Sequence, residues 1–595
     1  MHSFHIPVLG LGYSVDTPIK VSPFGISSVA SIVDDEMIER MRRYHAIKAR
    51  KTFVPIKKTE PDFRSRRITA YLNLMDEIID DTFNRLREEP FEKGAGITRY
   101  FDLLPDHSPL KKQYVVWQNV QDSDQKNDLE KKLRDGLVKG NIDVNIMSKV
   151  DKMNKSVSGE MLGDEDSDAS AALRGFAQST LTSSLVLSAG MNPRLYGYLE
   201  KFPDFYPDEK GNLKKRIILK VSDFRSAFIQ AKFLAKKGIW ISEFRIESGL
   251  NCGGHAFATE GYLLGPILEE FKSRREEMKA ELFAMYQSAL AAKELTIEAM
   301  PAMLITVQGG IGTAKEHEFL IRHYEVDATG WGSPFLLVPE VTNVDTDTLN
   351  DLVEADSSDY YISDSSPLGI LFNNFRKSSA EKQRLERIAK GRPGSPCKKK
   401  YLVSNTEFTE EPICLASREY QHLKLNQLKS LNLDAQEYEA QADAVTQKLC
   451  LCDGLSTSTL LKNNLLAPRE DKAVAICPGP NLAWFSSTYS LEELVGHIYG
   501  KTDLLAGVKR PNLFINELNL YVEYYNKERE VYLKNPTPKK LKYLQKFAEQ
   551  ILVGIDYYKT LVESFTDESE EYRQEMQEQL IFSEEQVREY VMEFV

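Results

Sequence analysis

From residue 142 onward the apolar positions follow a repeating scheme. Short runs that are apolar, or that alternate apolar with polar residues, lie at 142–147, 184–188, 216–222, 239–246 and 303–308. Between them apolar residues recur at helical spacing, as at 226–237. A period of two predicts strands and a period near 3.6 predicts helices. Strand, helix, strand in regular succession builds a parallel sheet. Ahead of this, 17–26 reads as a first strand and its loop, and 34–42 as a helix with acids first and bases later, the order the helix dipole prefers. Leu72, Met75, Ile78, Ile79, Phe83 and Leu86 form one stripe that predicts a packed helix over 68–86. The stretch 45–140 otherwise breaks the alternation and is read as an insertion, with strand 2 unplaced. The acidic segment 159–168 reads as a mobile loop, and basic 377–400 with Gly391-Arg392-Pro393-Gly394 as a linker. Beyond it the pattern is mainly helical. Thr537-Pro538 is an N-cap and N1 pair for a helix to about residue 565, and 566–595 reads as an acidic helix pair.

Three glycine-rich turns follow the later strands. They are Cys252-Gly253-Gly254-His255, then Gln308-Gly309-Gly310-Ile311-Gly312-Thr313, then Gly330-Trp331-Gly332-Ser333. Glycine lets the backbone approach a ligand closely, and unpaired N–H groups at such turns favour an anion. Two turns in tandem suggest one phosphate held from both sides, an arrangement found after strands 7 and 8 of a (β/α)8 barrel. An open doubly wound sheet would show the same alternation.

The order and approximate spacing of these turns resemble the flavin half of the nitronate monooxygenase family, which includes the FMN-dependent enoyl-acyl carrier protein reductases II. That resemblance implies an α/β fold, a (β/α)8 TIM barrel over 1–390 with the insertion at 45–140, followed by a mainly helical domain at 391–595 that the resemblance does not cover. It implies FMN, held by the loop after strand 1 (Pro23, Phe24, Gly25), by Asn145 and Lys220, by Gly254, and by the phosphate turns Gly309, Gly310, Gly312, Gly330, Gly332 and Ser333. His255 is the implied catalytic base, since an imidazole titrates near neutral pH. Ser333-Pro334 stands where the family has Thr-Arg. The segment 363–376 is similar to the family's Thr-Gly-x-Pro stretch. Two activities fit: oxidation of a small carbanion-forming substrate such as a nitronate, or NAD(P)H-dependent reduction of an enoyl thioester. A third reading is a barrel that serves only as a scaffold.

Bulk properties narrow the setting. With 76 basic against 88 acidic residues the net charge is −12, which disfavours a nucleic-acid partner. No apolar run is long enough to span a membrane. The start lacks a basic segment followed by an apolar one, so the expected compartment is the cytoplasm. The expected partner is a small-molecule substrate, with a homo-oligomer left open. Of the six cysteines, Cys397, Cys414, Cys450, Cys452 and Cys477 fall in one later region. No Cys-x-x-Cys pair occurs among them, and they read as reduced, buried thiols rather than metal ligands.

Overall fold

The computed structural model describes residues 2–148, 151–155, 159–188, 190–256 and 260–593. Eight parallel strands close into a barrel in sequence order: β1 (Phe4–Ile6), β2 (Ser27–Ser31), β3 (Ile142–Asn145), β4 (Ser183–Leu187), β5 (Lys215–Val221), β6 (Ile241–Glu247), β7 (Leu304–Gln308) and β8 (Ala328–Gly330). Closure runs through β1, where His5 stands opposite both Ser27 of β2 and Gly330 of β8. The closed ring decides between barrel and open sheet, and it leaves no exposed strand edge.

Alternation sorts each strand into two faces. Ile142, Val144, Ile217, Leu219, Phe244 and Ile246 point outward into the main core beneath the surrounding helices. Inside, Val29, Val186 and Ile218 form one apolar patch with Val8 against it. Most other inward positions are polar. Arg245 is fully buried and lies 2.7 Å from Glu243 and 3.2 Å from Asp143, while Thr306 donates to Glu243 at 2.6 Å. A charge inside a barrel is tolerated only when paired in this way.

The chain's first third departs from expectation. The stretch 17–26 is a helix (Thr17–Val21) and a 3-10 turn (Ser22–Phe24), ended by Gly25 at φ 79°. Pro18 sits in the first helical turn, where its missing N–H costs nothing, and Gly25 adopts the left-handed conformation that ends helices. The first strand is Phe4–Ile6, and 27–31 is the unplaced second. The insertion is therefore the connection from β2 to β3, built of five helices between Asp35 and Asp135. One of them, Phe63–Glu88, buries Leu72, Met75, Ile79, Phe83 and Leu86, with Ile78 half-buried. Ala189, in the run expected to end strand 4, lies outside the described residues.

Two further corrections fall later. The expected linker contains a helix, Ser379–Ala389, and the segment after it places Lys399 2.5 Å from the buried carboxylate of Asp34. The expected helix pair at 566–595 is one helix, Glu570–Met592, with residues 594–595 outside the described set. Thr537 caps Pro538–Leu561 as expected, accepting the Lys540 N–H. These C-terminal helices share the barrel's apolar core: Leu513, Phe514, Phe547 and Tyr558 belong to the same buried cluster as Ile246 and Val307.

Candidate active site at the C-terminal mouth of the barrel

Barrel sites form where strands end, and the inward residues there make a polar floor. Lys220, one residue before the end of β5, lies 2.8 Å from Glu247 at the end of β6. Gln308, which ends β7, donates to the other Glu247 oxygen at 2.7 Å and approaches His5 of β1 at 3.5 Å. Burial and the neighbouring Arg245 charge push the His5 imidazole down to about 3, so it is neutral. Lys220 and Glu247 keep 19% and 17% side-chain exposure, so this pair faces the open end rather than the sealed interior. Asn145 closes β3 beside Ser31 of β2, whose buried hydroxyl has no partner among the described residues.

Above this floor stands the turn after β6. Gly253 and Gly254 have φ of 113° and 81°, a region that β-carbon-bearing residues avoid. An antiparallel hairpin, β9 (Tyr360–Ser363) and β10 (Phe372–Phe375), holds the turn from outside. Asn373 donates its backbone N–H to the Gly254 carbonyl at 2.9 Å and its side-chain amide to Asn251 at 3.0 Å, and the Ala256 N–H reaches the Leu371 carbonyl at 2.8 Å. His255 is thereby fixed, with its Nε2 2.9 Å from the Ser366 hydroxyl and its ring edge-on to Phe372. The segment 363–376 thus acts by positioning this histidine.

The other two glycine turns follow neighbouring strands, β7 and β8. Gln308 and Gly330 are paired in register, and Gly310 and Gly332 each follow two residues beyond that pair. Both are buried, as is Ser333. Among the described residues no protein acceptor is bonded to the N–H of Gly310, Gly332 or Ser333. Buried backbone N–H groups are nearly always paired, so these three call for an acceptor that the described residues do not supply. Backbone N–H groups on glycine turns are donors of the kind that bind phosphate.

Other members of the expected set do different work. The Gly312 N–H is taken by the Glu316 carboxylate at 2.8 Å, and Glu316 also holds Arg510 at 2.7 Å and the Leu513 N–H at 2.7 Å. The Gly254 N–H bonds to the Cys477 carbonyl at 3.0 Å. Gly330 is small because a β-carbon there would come within 2.8 Å of the His5 ring and 2.5 Å of Gln308. The Gly309 N–H meets the Cys252 sulfur, whose thiol burial pushes up. Pro23, Phe24 and Gly25 do not reach the site. They precede β2 and so lie at the opposite end of the barrel, where Gly25 packs on Tyr100 of the insertion. The loop after the true first strand begins at Pro7.

Several residues of this site escape the sequence reading. Glu247 and Gln308 were visible as inward positions of their strands, two residues beyond Arg245 and Thr306. Ser366 and Asn373 lie in the 363–376 segment that the resemblance covers, though no role for either followed from it, and Arg510 and the 477–481 segment arrive from distant sequence and carry no local signal. To one side, against the loops after β2 and β3, opens a cavity of about 950 Å³ walled by Arg64, Lys152, Asn154, Arg384 and Lys399.

No family model matches the chain, and no curated protein sequence matches it. Similar solved structures include FabK from Thermotoga maritima, with a TM-score of 0.31 and 11% identity over 64% of this chain and 82% of that one. The enoyl reductase domain of MlnA from the macrolactin biosynthesis cluster of Bacillus amyloliquefaciens has a TM-score of 0.35 and 13% identity, covering 94% of this chain and 97% of that one. Nitroalkane oxidase from Streptomyces ansochromogenes gives 0.29 and 10%, over 64% and 85%. These names fall in the group that the sequence resembles. At such distance they add nothing to what the barrel's own strands establish.

Proposed function

We propose that this chain is a flavin-dependent oxidoreductase that holds FMN across the C-terminal mouth of its barrel. The observation that carries the reading is the trio of buried N–H groups on Gly310, Gly332 and Ser333 without a protein acceptor. They would hold the phosphate, and Asn145, Lys220, Glu247 and Gln308 would face the ring. A flavin bound there supplies two-electron chemistry. The protein's part is to bind, orient and move a proton. His255 takes the proton from a carbon acid, with Ser366 fixing the imidazole. Lys220 places a positive charge at the mouth, partly offset by Glu247, and such a charge stabilises negative charge developing on a bound ring. Ser333-Pro334 removes the family's arginine from this turn, so here the phosphate rests on backbone groups alone.

The substrate reading is a small carbanion-forming compound such as a nitronate. The same floor also serves an enoyl-thioester reductase fed by NAD(P)H. The purified protein should be yellow and release FMN on denaturation. Hydrogen bonds to a charged group are each worth about 1.5–3 kcal/mol, so FMN should bind at least about 10²-fold more tightly than riboflavin. A colourless protein that ignores added FMN, or one that binds riboflavin equally well, would overturn the proposal. Anaerobic mixing with NAD(P)H separates the two substrate readings: bleaching before any substrate is added marks the reductase.

A further inference from the structure

The fold brings together four of the five cysteines of the later region, and two of them differ from the rest. Cys397 and Cys414 line one cavity of about 770 Å³ together with Lys400, Arg418 and His422. The Ser395 N–H reaches the Ala416 carbonyl at 2.9 Å and the Arg418 N–H reaches the Ser395 carbonyl at 2.8 Å, which sets the two cysteine-bearing segments side by side. Cys397 is half-buried and held at φ 49°, while Cys414 is buried. The Arg418 Nε is buried without a partner beside them. Cys450 and Cys452 lie next to this pair, but burial pushes both of their thiols up. Burial does the same to Cys252 and Cys477. The Cys397 thiol alone is pulled down, to about 7, by the Cys414 hydrogen bond and the Lys400 N–H. Among the described residues no group of three or more His, Cys, Asp or Glu is arranged to hold a metal ion.

We propose that Cys397 and Cys414 are a redox-active dithiol, with Cys397 as the attacking thiolate and Cys414 as the resolving thiol, and that a hydroperoxide oxidises them to a disulfide. The Cys397 thiolate attacks the peroxide oxygen and the O–O bond breaks. The alkoxide or hydroxide leaves, takes a proton and departs as alcohol or water, and Cys397 becomes a sulfenic acid. Cys414 then attacks that sulfur: the S–S bond forms, the S–O bond breaks, and the oxygen leaves as water with the Cys414 proton. Two electrons pass from the two thiols to one peroxide. A thiolate that is partly exposed, electropositively framed and beside a second thiol is the setting in which this chemistry runs.

The test uses the full chain, reduced and then treated with hydrogen peroxide, quenched and alkylated after denaturation with N-ethylmaleimide. The expected product carries two fewer alkyl groups, and digestion yields a peptide joining Cys397 to Cys414. In Cys414→Ser, Cys397 should stop at the sulfenic acid and take dimedone. Cys414→Ala also removes the hydrogen bond, which a serine hydroxyl would keep, and so returns the Cys397 thiol towards 9.0. At pH 7 that cuts the thiolate fraction about fiftyfold, offset about eightfold by the higher nucleophilicity of a more basic thiolate, so iodoacetamide labelling should slow about sixfold. A cross-link through Cys450 or Cys452 instead, labelling of Cys397 no faster than that of Cys450, or four thiols that become reactive only after a chelator removes zinc would each overturn the proposal.

Discussion

Glu517 offers the sharpest physical test of how the C-terminal helices serve the barrel. It lies in the helix Leu513–Lys534 and is 1% exposed. One carboxylate oxygen accepts the Gly249 N–H at 2.7 Å and the other accepts the Leu264 N–H at 2.8 Å. Those residues are the two ends of the loop that carries Gly253, Gly254 and His255, so a single side chain closes the loop at its base. Burial raises this carboxyl from 4.5 to about 7, against the pull of the two N–H bonds. The folded state therefore holds the proton more tightly than the unfolded state, and stability must fall as pH climbs from 4.5 to about 7. At 1.36 kcal/mol per pKa unit the loss is at most about 3 kcal/mol. Glu517→Gln removes the titration, yet it turns an amide NH2 towards one backbone N–H. Leaving that N–H unpaired costs about 1–3 kcal/mol at every pH. The variant should thus be clearly less stable than wild type at pH 5, with the gap closing or reversing by pH 8. A chain of this size need not unfold in two states. The measurement is therefore the difference in thermal midpoint between the two proteins at each pH, with hydrogen exchange at Gly249 and Leu264 to locate it. A difference that stays constant from pH 5 to 8 would refute the reasoning.

Other outcomes follow from the same geometry. His255→Ala should keep FMN and lose about 10²–10⁴ in turnover, as general acid–base loss does; loss of the flavin with the fold intact would make His255 a positioning residue, which absorbance at 450 nm reveals. Gly310→Val should bind no FMN and also lose stability by about 1–3 kcal/mol, because its β-carbon meets Leu250 and Leu513 at 2.5 and 2.7 Å; a colourless variant with an unchanged melting point would contradict this packing. Asp34 is fully buried and accepts Lys399, Tyr401, Ser456 and the Met37 N–H. The Lys399 charge and these hydrogen bonds outweigh desolvation and hold it at about 2, below its usual 3.8, so its contribution is present above pH 3.8 and lost as pH falls through 2. Asp34→Asn should cost about 3–5 kcal/mol by stranding Lys399, and a thermal shift of under 2 °C at pH 7 would show the pair to be idle.

The fold was legible wherever strands were long and apolar. Ile217-Ile218-Leu219 and Leu304-Ile305-Thr306-Val307 announce themselves, and the turns after β6, β7 and β8 follow from them. The two opening strands were not. Phe4–Ile6 has three residues, too few to show a period. Ser27–Ser31 turns Ser27 and Ser31 inward on either side of a single apolar residue, Val29, too little to mark a strand. Meanwhile Ile19 and Val21 alternate inside a helix. Misplacing β1 carried Pro23, Phe24 and Gly25 to the wrong end of the barrel. The glycines were found but not fully understood: local sequence cannot say that Gly312 answers to Glu316 and Arg510 while Gly310 keeps its N–H unpaired. Such distinctions depend on residues some two hundred positions away.

That distance has a consequence in time. Ribosomes deliver about 5–20 residues per second, and about 190 residues separate Gly330 from Glu517. The eighth strand therefore leaves the ribosome roughly 10–40 s before the groups that brace its neighbours: the Cys477 carbonyl on Gly254, Arg510 on Glu316, and Glu517 on Gly249 and Leu264. In that interval a nascent barrel has its ring of strands but an unbraced mouth, so the proposed FMN would be retained only once the C-terminal helices arrive. Nascent chains stalled just after residue 390 should be compact yet unable to retain flavin, and the capacity should arise only once residue 517 has cleared the exit tunnel.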